Sequence, residues 1–370
     1  MKVALYSPYL SSGHMGGGEK QLLDFALVAA EANNVCLAVS STSNDQSFAK
    51  QQKELRSRIE DFLGKSISNI TVIQTPLGTD ASPFQKLLWT SQFDYLYSVT
   101  DGSLFFSLAK RNNLHIQIPF TNSQNGVLNR IKLMNWQIKN ANSVFTKSVV
   151  EKHWRTDIQY VHYPKVDYKK FQSDNSAEKE MIILSVGRFF RQLHSKRQDI
   201  VITAFRQFIE KHPKLSKKWR LVCIGSIEDK SYVDEIKKSA EGLPVDFYFS
   251  LSRKQLERWY KRSRFFWHAA GFGLNENEQP ERVEHFGISV IEAMAAGAIP
   301  LVVGAGGPKE ILRGELQKLQ WRTIDECVEK TAAFIQDATQ ERKMRQLAGL
   351  RAQDFGNDRF RITSLEMLSE

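Results

Sequence analysis

The sequence predicts an α/β protein made of two doubly wound domains with parallel sheets. Apolar runs of strand length alternate with stretches whose apolar residues recur at helical spacing along most of the chain. The 370 residues exceed one ordinary hydrophobic core and suggest two domains of roughly 150 to 200 residues each. A polar stretch without periodicity separates two alternating halves. We therefore predict domains at residues 1–165 and 180–355, joined by a linker at 166–179.

The first half opens with a strand, a glycine-rich loop, a helix and a second strand. The strand is Val3–Ser7, the helix runs from Lys20 to Ala32, and the second strand is Asn34–Val39. Such a βαβ unit implies a parallel sheet. A charged amphipathic helix follows at residues 45–65. Further strands are predicted at the apolar runs Thr71–Gln74, Tyr95–Val99, Ile116–Pro119 and Ser143–Phe145.

The glycine loop contains Gly16, Gly17 and Gly18 in a position where dinucleotide-binding enzymes hold phosphate. The G-x-G-x-x-G fingerprint is absent, because Gln21 stands where the third glycine is required. The second strand also closes on serine instead of the acidic residue that would bind a ribose. A nicotinamide enzyme is therefore disfavoured. The loop either lets backbone amides approach a phosphate or a sugar, or it is a plain tight turn.

The second half repeats the alternation with connections of ordinary length. Strands are predicted at Met181–Val186, Trp219–Gly225, Val245–Phe249, Phe265–His268 and Ile299–Val303. Helices are predicted at Asp199–Glu210, Tyr232–Ala240 and Arg253–Arg262. This pattern predicts a second doubly wound domain, although the two halves show no sequence repeat.

Composition and charge narrow the classes of partner. The chain is 42% hydrophobic and 25% charged, as expected of a globular enzyme, and its net charge of +10 favours acidic partners. The charge is not concentrated in one run and no nucleic-acid-binding motif is present, so nucleic acid is disfavoured. Four cations of the 45–65 helix could contact a membrane, although a solvated face explains them equally well. They are Lys50, Lys53, Arg56 and Arg58.

Cysteine usage and the hydropathy pattern predict a cytoplasmic protein. Cys36, Cys223 and Cys327 are widely separated and lie in apolar or helical contexts, as reduced core residues do. The N-terminal apolar stretch is too short for a secretory signal, and no window has the length of a membrane span. Any contact with a membrane is therefore expected to be peripheral, at its inner face.

The stretch Glu284–Gly297 is the candidate site. It holds two carboxylates, Glu284 and Glu292, eight positions apart. Ser289 and Glu292 have the spacing of a capping box at a helix start, so Glu292 could also be purely structural. A second glycine-bearing helix start follows at residues 304–311. Two helix starts that flank one buried strand provide backbone amides for an anion.

Two cations upstream suit a diphosphate. Arg188 follows a strand end by one glycine, and Lys196 lies at the start of the next helix. Both could instead be solvated surface charges. The chain has no Asp-x-Asp pair and no His/Cys cluster with ligand spacing, so neither a metal nor another cofactor is expected.

The segment from Glu284 to Glu292 resembles the E-x7-E motif of retaining GT-B glycosyltransferases, most closely those of family 4. The resemblance extends through residues 268–273, 280–281, 292–297 and 306–311, and the Ser-Val-Gly-Arg sequence at 185–188 with Lys196 resembles the family's Arg/Lys pair. It covers roughly residues 181–355 strongly and the first 165 only in general. A similar Trp-His-Ala-x-Gly-Phe-Gly stretch occurs in mannosyltransferases of lipid-linked oligosaccharide assembly. The resemblance implies two Rossmann-like domains that face each other across a cleft, with residues 356–370 forming a helix that returns to the first domain.

The resemblance also implies residue roles. Glu292 would bind the ribose, Glu284 would lie beside the transferred sugar, and Arg188 and Lys196 would clamp the diphosphate. The donor would also meet Gly187 and the backbone amides of Phe286, Gly287 and Ile288, and Gly16 to Gly18 would border the acceptor side. The segment between the two cations is longer than usual in the family, so Arg191 or Arg197 could replace Lys196. His268 is expected to pack at a strand end or to order the loop that follows, and not to act as a catalyst.

We therefore predict a metal-independent, retaining glycosyltransferase that moves a hexose from a nucleoside diphosphate sugar to a glycan or lipid-linked acceptor. Mannose from a GDP donor is suggested by the subgroup alone. One alternative is a non-catalytic module on the same fold that binds a sugar nucleotide or a glycan. Another is a sugar-nucleotide epimerase.

Overall fold

The computed structural model describes residues 1–10, 15–41, 45–122, 124–172, 179–193 and 195–370. The chain divides into two compact units. Unit 1 comprises Met1–Lys165 and Asn357–Glu370, and unit 2 comprises Val166–Gly356. The start of the predicted linker belongs to unit 2, and its residues 173–178 lie outside the described ranges. No helix within the described ranges is both long enough and apolar enough to cross a membrane.

The described residues of unit 1 form a seven-stranded parallel sheet in the order β3-β2-β1-β4-β5-β6-β7. The strands are β1 (Lys2–Tyr6), β2 (Asn34–Ser40), β3 (Ile70–Thr75), β4 (Tyr95–Val99), β5 (Arg111–Ile116), β6 (Ile138–Ala141) and β7 (Tyr160–Val161). The helices between them are α1 (Gly17–Ala29), α2 (Asp45–Leu63), α3 (Pro83–Thr90), α4 (Val127–Asn135) and α5 (Val144–Trp154). In register, Ala4 lies opposite Cys36 on one side and Leu96 on the other.

The strand order places the helices of unit 1 on two faces. The chain moves from β1 outward to β3 and then crosses back to β4, so right-handed connections put α1 and α2 on one face and α3 to α5 on the other. The side chains of β1, which point alternately to the two faces of the sheet, pack against the same two groups of helices. Leu5 packs in one core cluster with Leu22 of α1, whereas Ala4 packs in another with Leu133 of α4 and Trp154 of α5.

The described residues of unit 2 form a six-stranded parallel sheet in the order β10-β9-β8-β11-β12-β13. The elements in chain order are α6 (Tyr168–Phe171), β8 (Glu180–Val186), α7 (Gln198–Lys211), α8 (Pro213–Ser216), β9 (Arg220–Ile224), α9 (Lys230–Ser239), β10 (Val245–Tyr248), α10 (Arg253–Arg262), β11 (Ser263–His268), α11 (Ile288–Ala295), β12 (Ile299–Val303), α12 (Pro308–Ile311), β13 (Gln320–Trp321), α13 (Ile324–Gln336) and α14 (Ala338–Gln353). Short 3₁₀ helices lie at Pro280–Arg282 and Gly314–Leu319.

The final helix, α15 (Asn357–Ser369), packs in unit 1. Arg361 forms an ion pair with Glu31 at 2.6 Å, beyond the end of α1. The hydroxyl of Tyr95, in the middle of the sheet, donates to the backbone oxygen of Met367 at 3.0 Å. Helix α15 therefore packs in the same hydrophobic core as α1. The binding roles assigned to the two domains stay predictions.

Two predicted strands of the first half were wrong. The run at 116–119 begins where β5 ends, and Ser143 caps α5 by accepting from the amide of Thr146 at 3.0 Å. Strand β5 was not predicted in its true position because it begins with polar residues. Asn113 is buried there and donates to the Tyr95 hydroxyl at 2.7 Å, while its own oxygen accepts from Asn140 at 2.6 Å. Mutual hydrogen bonding lets these amides lie in the core of a parallel sheet.

Candidate functional site

The predicted site residues of unit 2 follow the carboxyl ends of three adjacent strands. Arg188 follows β8, His268 ends β11, and the Gly304–Gly307 loop follows β12. These strands are neighbours in the order β8-β11-β12, so their carboxyl ends meet at one edge of the sheet. Open parallel sheets bind ligands at this edge.

Glu284 is the centre of the arrangement. Its Oε2 atom lies 2.5 Å from the ammonium of Lys196 and 2.8 Å from Nε2 of His268. The Glu284 side chain is 10% exposed and that of Lys196 is 14% exposed, so the pair is largely removed from water. The structure therefore brings together two residues that the sequence placed in one site, although they are 88 positions apart.

The two alternative cations lie elsewhere. Arg191 pairs with Glu235, and Arg197 pairs with Asp199 at 2.9 Å. Lys196 is therefore the cation of this segment that contacts Glu284. Gly187 makes room for it, because a Cβ atom at that glycine would overlap Cγ of the lysine. This close approach explains why a glycine must follow β8.

His268 does more than pack at a strand end. Its ring is 2% exposed and stacks on Phe266 with centroids 6.3 Å apart, while Nε2 faces the Glu284 carboxylate. Nδ1 is buried and has no hydrogen-bond partner among the described residues. Sequence reasoning gave this histidine no contact with the glutamate. Its position at the carboxyl end of a central strand was the signal that could have found the contact.

Arg188 contacts a residue that the sequence did not point to. Its Nη1 atom lies 3.2 Å from Oε1 of Glu228, and the guanidinium stacks over the Phe190 ring at 4.6 Å. The side chain is 44% exposed. Gln198 at the start of α7 fixes the backbone here by donating to the carbonyl oxygens of Gly187 and Arg188 at 3.1 and 3.2 Å. The loop after β8 is therefore held while the guanidinium stays accessible.

The predicted capping box at Ser289 was wrong. Helix α11 begins at Ile288, and its N-cap is Gly287, whose φ of 115° lies in the left-handed region open to glycine. Ser289 is therefore the second residue of the helix. The amides of Val290 and Ile291 donate to the carbonyl oxygen of Gly287, so the amides of Ile288 and Ser289 precede the first backbone hydrogen bonds of α11. They lie at the positive end of the helix, and their contact with an anion stays a prediction. Phe286, just before the cap, is buried against Phe355 with ring centroids 5.6 Å apart.

Glu292 consequently lies inside α11 and does not cap it. The glutamate is 4% exposed, and its Oε1 atom lies 2.5 Å from Nη2 of Arg253 in α10. Arg253 also lies over the Phe171 ring at 4.8 Å. Burial, followed by the charge of Glu292, raises the pKa of the nearby Tyr260 well above its usual range. The purely structural role considered for this glutamate, helix capping, is therefore excluded by the geometry.

The second glycine turn already holds an anion from the protein itself. The amide of Gly306 donates to Oε2 of Glu276 at 2.6 Å, and Lys309 contacts the same carboxylate. The amide of Gly307 donates to the backbone oxygen of Glu284 at 2.8 Å. Glu276 belongs to the long loop after β11. This turn thus binds an internal carboxylate, and its contact with a donor anion stays a prediction.

The described glycines of the unit 1 loop begin α1. Gly16 is the N-cap, and its amide donates to Oε2 of Glu19 at 2.9 Å. Gly17 is the first helical residue. Gly18 is approached by Gln117, whose Nε2 donates to the glycine carbonyl at 3.2 Å. Residues 11–14 of the loop lie outside the described ranges, and the acceptor-side role of the three glycines stays a prediction.

Within the part of the chain that the structure describes, no group of three or more His, Cys, Asp or Glu side chains could hold a metal ion. The predicted lack of a metal requirement stays a prediction.

Solved structures with the same architecture cover the whole chain. The Anabaena protein Alr3699/HepE, crystallised in complex with UDP, aligns over 100% of both chains with a TM-score of 0.72 and 17% identity. AviGT4, described as a glycosyltransferase involved in avilamycin A biosynthesis, covers 100% of this chain and aligns over 97% of its own with a TM-score of 0.59 and 15% identity. The chain therefore has the GT-B fold, with two Rossmann-like units, as predicted.

Residues 167–350 match the family described as Glycosyl transferases group 1. That range spans nearly the whole of unit 2, and the chain belongs to this family through it. A GDP-Man:Man(3)GlcNAc(2)-PP-Dol alpha-1,2-mannosyltransferase from Xenopus laevis is 28% identical over 66% of this chain and 53% of its own length. The chain thus spans about half the length of that relative. The predicted group 1 glycosyltransferase family is confirmed, and retention of configuration stays a prediction.

Proposed function

We propose that this protein is a retaining, metal-independent hexosyltransferase that uses a nucleoside diphosphate sugar. The observation that carries the proposal is the buried Glu284–Lys196 pair, 2.5 Å apart, in a unit that belongs to the group 1 glycosyltransferases. The carboxylate suits the sugar of such a donor, and the ammonium suits its diphosphate. The sugar offers hydroxyl donors, and the diphosphate offers negative charge.

Lys196 and Arg188 bind the diphosphate together with the first amides of α11. Lys196 is neutralised by Glu284 before the donor arrives, so a bound phosphate shares or replaces that partner. Arg188 is 44% exposed and stacked on a ring, which keeps its guanidinium oriented for a second phosphate oxygen. Preorganised donors of this kind stabilise charge that grows on a leaving group.

Glu284 accepts hydrogen bonds from the hydroxyls of the transferred sugar. His268 holds the carboxylate from the side of the sheet, 2.8 Å away, so the carboxylate is fixed before the sugar binds. Glu292 binds the ribose in the same manner and is oriented by Arg253. A carboxylate accepts at several positions, so it can hold internal partners and a ligand hydroxyl together.

In the proposed transfer, the bond between the anomeric carbon and the phosphate oxygen breaks and its electron pair stays on that oxygen. The acceptor hydroxyl forms the new bond on the same face of the sugar. The acceptor proton passes to the departing phosphate oxygen, so no side chain needs to act as a base. Lys196, Arg188 and the positive end of α11 carry the stabilisation of the leaving diphosphate.

The choice of donor and acceptor is proposed from the relatives. The matched region of the Xenopus laevis enzyme belongs to a protein whose name specifies GDP-mannose and a dolichol diphosphate-linked glycan. We propose mannose from a GDP donor and a lipid-linked glycan as acceptor. The first test is a thermal-shift panel of UDP, GDP, ADP and TDP sugars, because a ligand that binds only the folded state raises the melting temperature.

The decisive variants are Lys196→Met and, as a matched control, Arg191→Met, whose cation pairs with Glu235 instead of Glu284. The first should lose most of the shift that the preferred donor produces, and the second should keep it. Binding without transfer or donor hydrolysis would favour the non-catalytic module. Epimerised donor in the absence of acceptor would favour the epimerase. An inverted anomeric configuration in the product, read by NMR, would contradict retention.

A further inference from the structure

The proposed transfer chemistry uses no residue of the loop at 271–283, which joins the end of β11 to Glu284. All residues of this loop are described, and both of its ends, Gly271 and Val283, are buried. Long connections inside a compact domain are often functional. The contacts of the loop with its neighbours therefore indicate what it does.

The middle of the loop presents one carboxylate to the glycine turn at 304–307. The side-chain oxygen of Asn275 accepts from the amide of Asn277 at 3.1 Å, which fixes the backbone on both sides of Glu276. The Glu276 side chain is 22% exposed. Its Oε2 atom accepts from the amide of Gly306 at 2.6 Å, and its Oε1 atom pairs with Lys309. Glu276 therefore attaches the glycine turn to the loop.

The glycine turn supports the backbone of Glu284. The amide of Gly307 donates to the carbonyl oxygen of Glu284 at 2.8 Å. A Cβ atom at Gly306 would lie 2.2 Å from that same oxygen, and one at Gly307 would lie 2.4 Å from the carbonyl oxygen of His285. The turn and the Glu284 segment are thus in direct backbone contact. A displacement of the turn is therefore transmitted to Glu284, because no flexible side chain lies between them to absorb it.

The start of the same loop reaches the segment that carries Lys196. Arg197 donates from Nη1 to the backbone oxygen of Phe272 at 3.2 Å. The guanidinium is fixed by Asp199, which accepts from its Nε and Nη2 atoms at 3.0 and 2.9 Å. One loop therefore contacts the sequence neighbour of Lys196 and the turn that supports Glu284.

We propose that Glu276 is a positioning residue, which sets the place of the Glu284 carboxylate beside the transferred sugar through the turn at 304–307. The inference rests on the proposed glycosyl transfer. A displacement of about 1 Å at a reacting group can slow a reaction about 100-fold, so the attachment of the turn matters for rate. A carboxylate that only occupied the Gly306 amide until the donor arrives would have the opposite effect, because its removal would strengthen donor binding.

The test is steady-state kinetics of the full chain with whichever of the UDP, GDP, ADP and TDP sugars gives the largest thermal shift. Released nucleoside diphosphate is measured, so no acceptor is required. Glu276→Ala should lower kcat by about 10- to 100-fold, because Glu284 is no longer held in place when the sugar reacts. The KM of the donor should change by less than about threefold, because the cations assigned to the diphosphate are untouched. Glu276→Gln keeps an oxygen that accepts from Gly306 and should recover most of the loss.

Two matched controls separate this role from general effects on the loop. Glu278→Ala removes an exposed carboxylate of the same loop, which accepts from Asn275 at 2.8 Å. Lys309→Met removes the cation that pairs with Glu276 and keeps the Gly306 hydrogen bond; the lysine is 42% exposed, so its pair contributes little. Both controls should keep kcat within about threefold of the wild type. Melting temperatures show whether each variant is folded, and Glu276→Gln carries the same comparison at a smaller amplitude.

Three kinetic results would overturn the proposal. They are an unchanged kcat in Glu276→Ala, a lower donor KM at unchanged kcat, and an equal loss of kcat in Glu278→Ala. The second result would identify Glu276 as a competitor of the donor for the glycine turn.

Hydrogen exchange separates this proposal from the proposed function. Deuterium uptake by the backbone amides of residues 304–307, followed by mass spectrometry without ligand, should be faster in Glu276→Ala than in the wild type or Glu278→Ala. The reason is that the Gly306 amide loses its acceptor and the turn loses its attachment. A wild type that releases no diphosphate from any donor would contradict the proposed function, whereas unchanged uptake in an active enzyme would contradict the positioning role alone.

Discussion

Replacing Glu284 by Gln separates the two roles assigned to the Glu284–Lys196 pair. The change keeps the shape of the side chain and removes its charge. Lys196 then keeps its ammonium, only 14% exposed, without the carboxylate that lies 2.5 Å away. We expect the ligand-free variant to be less stable, transfer to be slower, and the diphosphate to become the best available anion for the lysine.

The magnitudes follow from burial. Loss of one partner from a buried ion pair costs about 3–5 kcal/mol, and we expect about 3 kcal/mol because the Gln oxygen still accepts a hydrogen bond. For a unit of this size that lowers the melting temperature by roughly 6–12 °C. Transfer should slow by about 100- to 1000-fold, the usual effect of removing one preorganised polar contact.

The assay is a double-mutant cycle of Glu284→Gln, Lys196→Met and the double variant, each melted with and without a saturating nucleoside diphosphate. The double variant should be more stable than the sum of the single losses predicts, because the pair is removed as a unit. The diphosphate should raise the melting temperature of Glu284→Gln more than that of the wild type, and that of Lys196→Met least. Equal ligand shifts in all four proteins would refute the assignment of Lys196 to the diphosphate.

Three further predictions concern the second ion pair, acid stability and metal. Arg253→Met should lower the free energy of unfolding by about 2 kcal/mol in urea titrations, because the buried Glu292 loses a cation that is itself half-exposed; an unchanged midpoint would contradict the pairing. Burial lowers the pKa of His115 from 6.5 to about 4 and that of His162 to about 3, so both are neutral in the folded state. As the pH falls below 6.5, the two histidines take up protons in the unfolded chain before they do so in the folded state. The free energy of unfolding should therefore be highest above pH 6.5 and should drop by about 2 kcal/mol per histidine by pH 5. His115→Gln should show a shallower dependence of this free energy on pH. Transfer should persist after dialysis against EDTA, and an activity that returns only with a divalent cation would contradict the proposal.

The sequence predicted unit 2 well because its central strands are buried on both faces. Such strands read as continuous apolar runs, and the predicted bounds of β12 and α10 agree with the structure. Unit 1 was harder, since β5 carries Asn112 and Asn113 into the core and no run of apolar residues marks its start. The Asn113 amide is tolerated through hydrogen bonds with Tyr95 of β4 and Asn140 of β6, and Asn112 donates to the carbonyl oxygens of Ala109 and Asn135. Spacing within β5 does not reveal these partners.

Local rules also misplaced the start of α11. Ser289 and Glu292 have the spacing of a capping box, but Gly287 reaches a φ of 115° and begins the helix earlier. The positive φ depends on how the preceding loop arrives, which the sequence does not specify. The wrong helix start mattered for function, because it suggested that Glu292 only caps α11. In the structure Glu292 forms an ion pair with Arg253 instead.

The residues that pair with the predicted site residues could not be predicted either, because they are distant in sequence. His268, Arg253 and Glu228 lie 16, 39 and 40 positions from the residues that they contact. Each is brought in by the order of strands in the sheet. Sequence patterns identify which side chains lie at strand ends, whereas the pairing among them depends on the three-dimensional arrangement of the strands.

These partners change how donor binding should be understood. Four predicted contact points of the donor already have a partner of opposite charge: Lys196 with Glu284, Arg188 with Glu228, Glu292 with Arg253, and the Gly306 turn with Glu276. A diphosphate therefore exchanges one anion for another instead of meeting bare cations, and the net gain from charge is small. Free inorganic phosphate should consequently bind weakly. We expect affinity to come instead from contacts that break no ion pair, at the amides that open α11 and at the surfaces that meet the base and the sugar.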